Sequence, residues 1–418
     1  MESMIEVNQI ILKDILAAMI SPLFWVLLGI IAYQYVRMSR LKDSLFGVRD
    51  HSATRVTMIS LGMGLFGGYL GSIITVLLGI TVPESGYLGL LLLAVLLMTL
   101  HPRFLCFAYA GGLLSLCSLI FGFPNISVSH LMALVAVLHL IEGILIRVSG
   151  HLDALPVYTS QGHLVVGGFN LQKFWPIPLV ILSTTSLGGE TAGVINMPDW
   201  WPLLQPPAAV TSGSILALMP AVVGLGYGEI ALASTPQRRS RVSSRNLMVY
   251  SLGLLGLSLA ASYSAPLQWL AAVYAPVGHE VIIALATRKE NGGSPLYVRT
   301  TRGLRILDVI RPSPMARAGL RSGDLILEVE GVPVDTPWQV EDVLAKTRGP
   351  IFVKFRRGDE GFSNTDGEVK TTKINRFNRE FLGIIPVPGY GGEQLLEFGT
   401  PDYIGWVKRW IERRKTTG

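Results

Sequence analysis

The sequence predicts a polytopic α-helical membrane bundle of about eight or nine spans, followed by a small α+β domain and a basic terminal helix. Three observations carry that class. Half of the 418 residues are hydrophobic and only 15% are charged, a balance too apolar for a soluble chain of this length. Apolar runs near the ~20 residues that a bilayer requires recur from residue 15 to residue 287. Beyond residue 288 the pattern changes to short alternating apolar runs punctuated by glycine and proline, which reads as strands and turns. The chain therefore divides into a membrane bundle (1–288), a small domain (289–390) and an amphipathic helix (391–418).

The spans are expected at 15–37, 56–81, 86–101, 103–122, 128–147, 174–190, 207–233, 246–263 and 266–287. The loops between them alternate in charge. Arg37, Arg40, Lys42, Arg49 and Arg55 make the first one basic, Glu84 is the sole charge of the next, His101-Pro102-Arg103 is basic again, and 123–129 is uncharged. Further on, Glu190 and Asp199 lie one crossing away from Arg238, Arg239, Arg241 and Arg245. Cytoplasmic loops carry the excess of Lys and Arg, so the basic side is expected to be cytoplasmic, and Arg288 and Lys289 put the small domain there. The net charge of +6 has this topological explanation, and nucleic acid is not expected as a partner. Trp175, Trp200, Trp201 and Trp269 fall near span ends, where interfacial rings are expected. The polar stretch 149–173, with His151, Asp153 and His163, reads as a connecting loop.

His139 and Glu142 lie three apart in the fifth run, and His279-Glu280 are adjacent in the last. Ionisable groups at bilayer depth are costly and mark function by default. His279-Glu280-Val281-Ile282-Ile283 begins like the zinc-protease pattern in which two histidines on one helical face bind the metal and the glutamate activates water. Position 283 is Ile, however, and the Asp-Gly pair that such a site needs occurs only at Asp366-Gly367, in the small domain. The four residues are therefore read as an interhelical hydrogen-bond cluster, with Glu229 either joining it or lying at the cytoplasmic edge. Ser212-Gly213-Ser214 has no histidine placed to act as its base. No catalytic residue, metal site or cofactor is expected. Cys106 and Cys117 sit in one apolar run, about 16 Å apart if it is helical, too far for a disulfide.

In the small domain, a run from Leu304 to Val309 leads into Arg311-Pro312-Ser313-Pro314-Met315-Ala316-Arg317-Ala318-Gly319, then Gly323-Asp324 and a second run ending at Gly331. Glycines stand where only glycine turns cheaply. This order resembles a PDZ domain. Thr336 as N-cap, Pro337 at the first helical position and Glu341 and Asp342 early on start a helix, with Trp338, Val340, Val343 and Leu344 on its apolar face. Residues 351–355 alternate as a strand, and 381–386 form another short one. In a PDZ domain the ligand adds as a strand beside a sheet edge and a helix, its carboxylate caught by backbone N–H groups. The stretch Leu382-Gly383-Ile384-Ile385 resembles the carboxylate-loop strand of PDZ domains with permuted strand order. The groove is expected between these residues and 338–344, with 295–302 as the alternative strand. At the end, Tyr403, Trp406, Val407, Trp410 and Ile411 share one face while Lys408, Arg409, Arg413, Arg414 and Lys415 lie elsewhere. Such a helix lies on an anionic leaflet of the bilayer or packs against the small domain.

Over nearly its full length the chain resembles the MinJ family of cell-division topological determinants. The residues that carry this are Ile20-Ser21-Pro22-Leu23-Phe24-Trp25 with the basic 37–49 stretch, His139-Leu140-Ile141-Glu142-Gly143, the Gly-rich 162–168 leading to Trp175-Pro176-Ile177-Pro178, His279-Glu280, and the PDZ-like end. The resemblance implies placement of the Min division inhibitors at septum and poles of Gram-positive-type cells, bridging the curvature-sensing protein DivIVA to the ATPase MinD. On this reading the chain is a non-enzymatic multi-pass scaffold in the cell membrane whose cytoplasmic PDZ domain recruits protein partners. The alternatives are a PDZ-containing intramembrane metallopeptidase-like protein or its degenerate regulator, and a transporter or export component.

Overall fold

Proline and glycine decide where the helices of the first half break and how closely they approach the strands beside them. The structure, a computed structural model, describes residues 2–47, 53–161, 163–186, 197–206, 214–358, 367–375, 382–389, 391 and 395–396. The chain forms two units, Met1–Leu155 with Asn170–Gly293, and Pro156–Phe169 with Ser294–Gly418.

In the first unit, α1 (Glu2–Ile20) and α2 (Pro22–Phe46) meet at a 65° bend. Pro22 has no N–H to continue the helical ladder, and Ser21 caps α2 by accepting from Phe24 N while its hydroxyl donates to Ala18 O. The run expected over 15–37 is thus broken in its first turns. Then come α3 (Ala53–Leu78), α4 (Glu84–Leu100), α5 (Phe107–Phe121) and α6 (Val128–Ser149). Every residue of α6 from Val128 to His139 is buried, as befits a helix that is apolar all round. After three strands the unit closes with α7 (Pro236–Ala261) and α8 (Ala265–Asn291). Val273, Val277, Val281 and Leu285 form an exposed stripe along α8, a face suited to lipid.

Among the described residues, α3, α6 and α8 are long and apolar enough to cross a membrane, and the bent α1–α2 pair makes a fourth if taken as one span. This corrects the expected eight or nine. The runs 86–101 and 103–122 form helices of only 17 and 15 residues, and 246–263 is the second half of α7, whose first half carries Arg238, Arg239, Arg241 and Arg245. The described parts of the runs expected at 174–190 and 207–233 fall mostly in long strands rather than helices: β2 (Leu164–Ser186) lies between β1 (Leu155–Gln161) and β3 (Ser214–Ala231) in a three-stranded sheet. Hydropathy does not separate a long buried strand from a helix. What does is Pro176 and Pro178, which a helix interior rejects, and the period of two in β3, where Leu225 and Tyr227 are buried between exposed Gly224, Gly226 and Gly228. Strand β2 also turns Trp175 fully inward, 0% exposed, which corrects its expected place at the membrane interface; Trp200 and Trp269 do stay exposed.

Helix α3 meets β2 backbone to backbone. A Cβ on Gly64 would stand 2.1 Å from Pro176 O, and one on Gly68 would stand 2.0 Å from Pro178 O. One turn further, Ser72 Oγ accepts from Val180 N at 2.9 Å. The match repeats because four helical residues rise about 6.0 Å and two strand residues about 6.6 Å. Elsewhere in this unit Arg239, buried at the start of α7, pairs with Glu229 at 2.7 Å and Glu290 at 3.4 Å. Glu290 in turn accepts from Leu232 N, Ala233 N and Ser234 Oγ. Glu229 is therefore spoken for by Arg239.

The second unit contains β4 (Leu304–Val309), α9 (Pro314–Arg317), β5 (Leu325–Val329), β6 (Val332–Pro333), α10 (Pro337–Lys346), β7 (Ile351–Arg356), β8 (Val369–Ile374) and β9 (Ile384–Pro386). The sheet order is β8-β7-β5-β4-β9, with β6 paired to β5. Alternation in β7 sends Ile351, Val353 and Phe355 into a core shared with Leu304, Ile306, Ile326 and Val329. The start signals of α10 resolve into a full capping box between Thr336 and Gln339. The stretch 149–173 is not a plain connecting loop: most of it forms β1 and the start of β2, and its part in this unit bonds through Gly167 N to Tyr297 O and Tyr158 Oη to Pro386 O, each at 2.8 Å.

Asp324, fully buried, organises the turn between α9 and β5. It accepts from Arg321 N at 2.9 Å and Gly358 N at 3.0 Å, and pairs with Arg357 at 2.8 Å. Burial raises its carboxyl above the usual range, against the opposing pull of those donors. Between the ordinary carboxylate value and the raised one, the folded domain binds more protons than the unfolded chain, so this group's contribution to stability falls as pH rises through that window. Asp324→Ala removes the acceptors of two backbone amides and the carboxylate partner of Arg357, which keeps its bond to Gly319 O and its contact with the Phe355 ring, an expected loss of about 3 kcal/mol. Hydrogen exchange over 321–329 and 351–358 in the full chain would read it; unchanged protection would count against this account of the turn.

Candidate functional site

The residues expected to line the groove lie on α10, on the short β9 and on the approach to it. Strand β9 is last in the sheet order and pairs antiparallel with β4 through Val309–Ile384, Asp308–Ile385 and Ile306–Pro386. Its other edge pairs with none of the described strands. The approach is pinned by two carbonyls: Leu382 O accepts from Met315 N at 3.2 Å and Gly383 O from Ile310 N at 2.8 Å. Gly383 has φ +82°, the left-handed region that glycine enters without steric cost. It also lets Ser313 approach, since a Cβ there would stand 2.2 Å from Ser313 Cβ.

Helix α10 borders the same place. Val340 and Val343 share an apolar core with Leu382, and Leu344 and Ile384 pack against it. Of the expected groove residues, Val340, Val343, Leu382 and Gly383 are buried, Leu344 and Ile384 are partly buried against the same core, and Trp338 is 54% exposed; Ile385 is buried but, one residue on from Ile384 in the strand, turns to the other face of the sheet. A strand edge beside a helix over an apolar floor is the geometry that takes an extended peptide. The PDZ motif residues build the frame rather than the groove: Gly319, Gly323 and Gly331 hold positive φ, Ala316 packs on the core, Pro312 is exposed before α9 and Asp324 fixes its turn. The alternative strand at 295–302 is already engaged through buried Tyr297, which bonds Gly167. The basic helix expected at 391–418 lies outside the described residues except for 391, 395 and 396.

In the first unit, the intramembrane polar residues do not all meet. His139 on α6 and His279 on α8 bring their rings to 5.2 Å, with Cys106 between them: its Sγ lies 3.2 Å from His139 Nε2 and 3.7 Å from His279 Nε2. His139 Nδ1 donates to Val135 O at 2.8 Å. Tyr250 packs edge-on to both imidazoles, and Tyr109 to that of His279. Glu280 turns elsewhere, accepting from Arg103 and from Tyr109 Oη, each at 2.6 Å. Glu142 lies one turn along α6 from His139. The expected cluster thus separates into a Cys106–His139–His279 centre, with Glu142 beside it, and a Glu280–Arg103–Tyr109 group. Cys106 was legible only as a residue without a disulfide partner. The local signal for it is its place as N-cap of α5, where its sulfur accepts from Ala108 N. Of the described residues, Cys106, His139 and His279 form the grouping whose donor atoms, all within 4.8 Å of one another, would hold a metal ion.

Fold and groove together define a membrane protein that ends in a peptide-groove domain, and residues 305–357 match the PDZ domain family. Over 366 residues, spanning 80% of this chain and 85% of the relative, the chain is 26% identical to the cell division topological determinant MinJ of Bacillus subtilis (strain 168). The chain is thus similar to MinJ and carries a PDZ domain in its C-terminal part.

Proposed function

We propose that the chain is a non-enzymatic membrane scaffold that positions the Min division-site selection system, its PDZ domain recruiting protein partners on the cytoplasmic face. The observation that carries this is the edge of β9 that pairs with none of the described strands, a docking line for an extended segment, in a chain similar to a cell division topological determinant. The basic residues Arg288 and Lys289 in the last turn of α8 support the cytoplasmic placement. Partners of the DivIVA and MinD kinds follow from the same likeness, and the basic terminal segment would add attraction to anionic lipid.

A fluorescent fusion of the full chain is expected to concentrate at septum and poles, and the same fusion without residues 290–418 to spread over the membrane. Leu344→Asp puts a charge in the groove wall and is expected to weaken capture of a division partner by about tenfold or more, because an unpaired charge is desolvated there. Uniform signal from the full chain would sink the scaffold reading. The convergence of His139 and His279 favours the metallopeptidase-like alternative as second reading; it predicts cleavage of a membrane substrate that is lost in His279→Ala.

A further inference from the structure

We propose that Cys106, His139 and His279 bind one zinc ion, which clamps the start of α5 to α6 and α8 inside the membrane unit. The three donors come from three separate segments and converge on one point, their donor atoms within 4.8 Å of one another. In a tetrahedral site with Zn–S near 2.3 Å and Zn–N near 2.0–2.1 Å, sulfur and nitrogen stand about 3.6 Å apart. The observed separations of 3.2 and 3.7 Å straddle that value.

The tautomer suits a ligand. Nδ1–H of His139 is committed to Val135 O, so the lone pair of Nε2 faces the centre, the outer-shell arrangement that metal-bound histidines adopt. His279 is nine-tenths buried, its Nδ1 has no hydrogen-bond partner, and its Nε2 faces the same sulfur. A donor set of one thiolate and two imidazoles is soft, suiting zinc and excluding magnesium or calcium, which take oxygen.

The charges agree as well. Zinc displaces the thiol proton, which leaves to solvent, and the ion with its one thiolate keeps a single positive charge. The guanidinium of Arg103 is held by Glu280 at 2.6 Å. Glu280 is accordingly no ligand. The edge-on rings of Tyr109 and Tyr250 wall the centre. Three protein donors leave one tetrahedral position, which a water would fill.

The test uses the full chain purified in detergent, stripped with chelator and titrated with Co²⁺. One equivalent is expected to bind, with a thiolate-to-cobalt charge-transfer band that bleaches when Zn²⁺ is added. Cys117→Ser keeps the band and Cys106→Ser loses it. His279→Cys, which retains a donor, keeps one equivalent and strengthens the band, which separates loss of a ligand from loss of fold. X-ray absorption at the zinc edge should show one sulfur among nitrogen and oxygen neighbours. Wild-type chain that takes up no stoichiometric cobalt or zinc overturns the proposal and leaves a thiol–imidazole hydrogen-bond cluster, as does a band that survives in Cys106→Ser. Neither outcome bears on the scaffold reading, which localisation tests by itself.

Discussion

Gly383→Ala is expected to unhook β9 from the PDZ core and abolish the groove. Two costs coincide at this position. An L residue at φ +82° loses about 1–2 kcal/mol, and the new methyl would stand 2.2 Å from Ser313 Cβ and 2.4 Å from Ser313 Oγ. Ser313 has no room to yield, being buried and caught as N-cap of α9, its hydroxyl accepting from Ala316 N. Relief requires the strand to move, which breaks the bonds from Ile310 N to Gly383 O and from Met315 N to Leu382 O. Strain, overpacking and lost hydrogen bonds add to about 4 kcal/mol, a large share of the 5–15 kcal/mol that typically holds a domain. Gly319→Ala is the control. Its φ is +85° but nothing lies within 4 Å of the added methyl, so only the backbone cost is expected. Hydrogen exchange across 304–310 in the full chain separates the two; equal losses in both variants would show that the Ser313 contact does not matter.

Gly68→Ala is expected to open the seam between α3 and β2, with Gly64→Ala close behind. The added methyl of Gly68 would stand 2.0 Å from Pro178 O, and a carbonyl in a strand cannot rotate away as a side chain would. The helix must retreat, and the bond from Val180 N to Ser72 Oγ, one turn on, goes with it. Overpacking plus an orphaned buried amide costs about 3–4 kcal/mol. Gly62→Ala, on the same helix with open space around it, is expected to be neutral or to stabilise by about 0.5–1 kcal/mol, as alanine does in a helix interior. Thermal unfolding in detergent would rank the three. A Gly68→Ala chain that melts with the parent would refute the close approach of α3 to β2.

What the sequence determined by itself is what a few neighbouring residues encode. Composition alone put the first part of the chain in a membrane. The turn glycines Gly319, Gly323 and Gly331, the helix-start residues Thr336 and Pro337, and the alternation of Ile351, Val353 and Phe355 each specify local backbone, and each element formed where it was expected. His139 and His279 stood out because a lone imidazole among apolar neighbours is costly.

The tertiary structure decided the rest. The apolar run over 174–186 is a strand whose Pro176 and Pro178 sit against Gly64 and Gly68, a complementarity between segments more than a hundred residues apart. Composition registers the apolarity of a buried strand and of a membrane helix identically, so the count of spans was beyond its reach. Glu280 went to Arg103 and Tyr109, Trp175 turned inward, and Cys106 joined two histidines from distant helices. Those pairings depend on which faces of α5, α6 and α8 meet, and only the packed fold sets that.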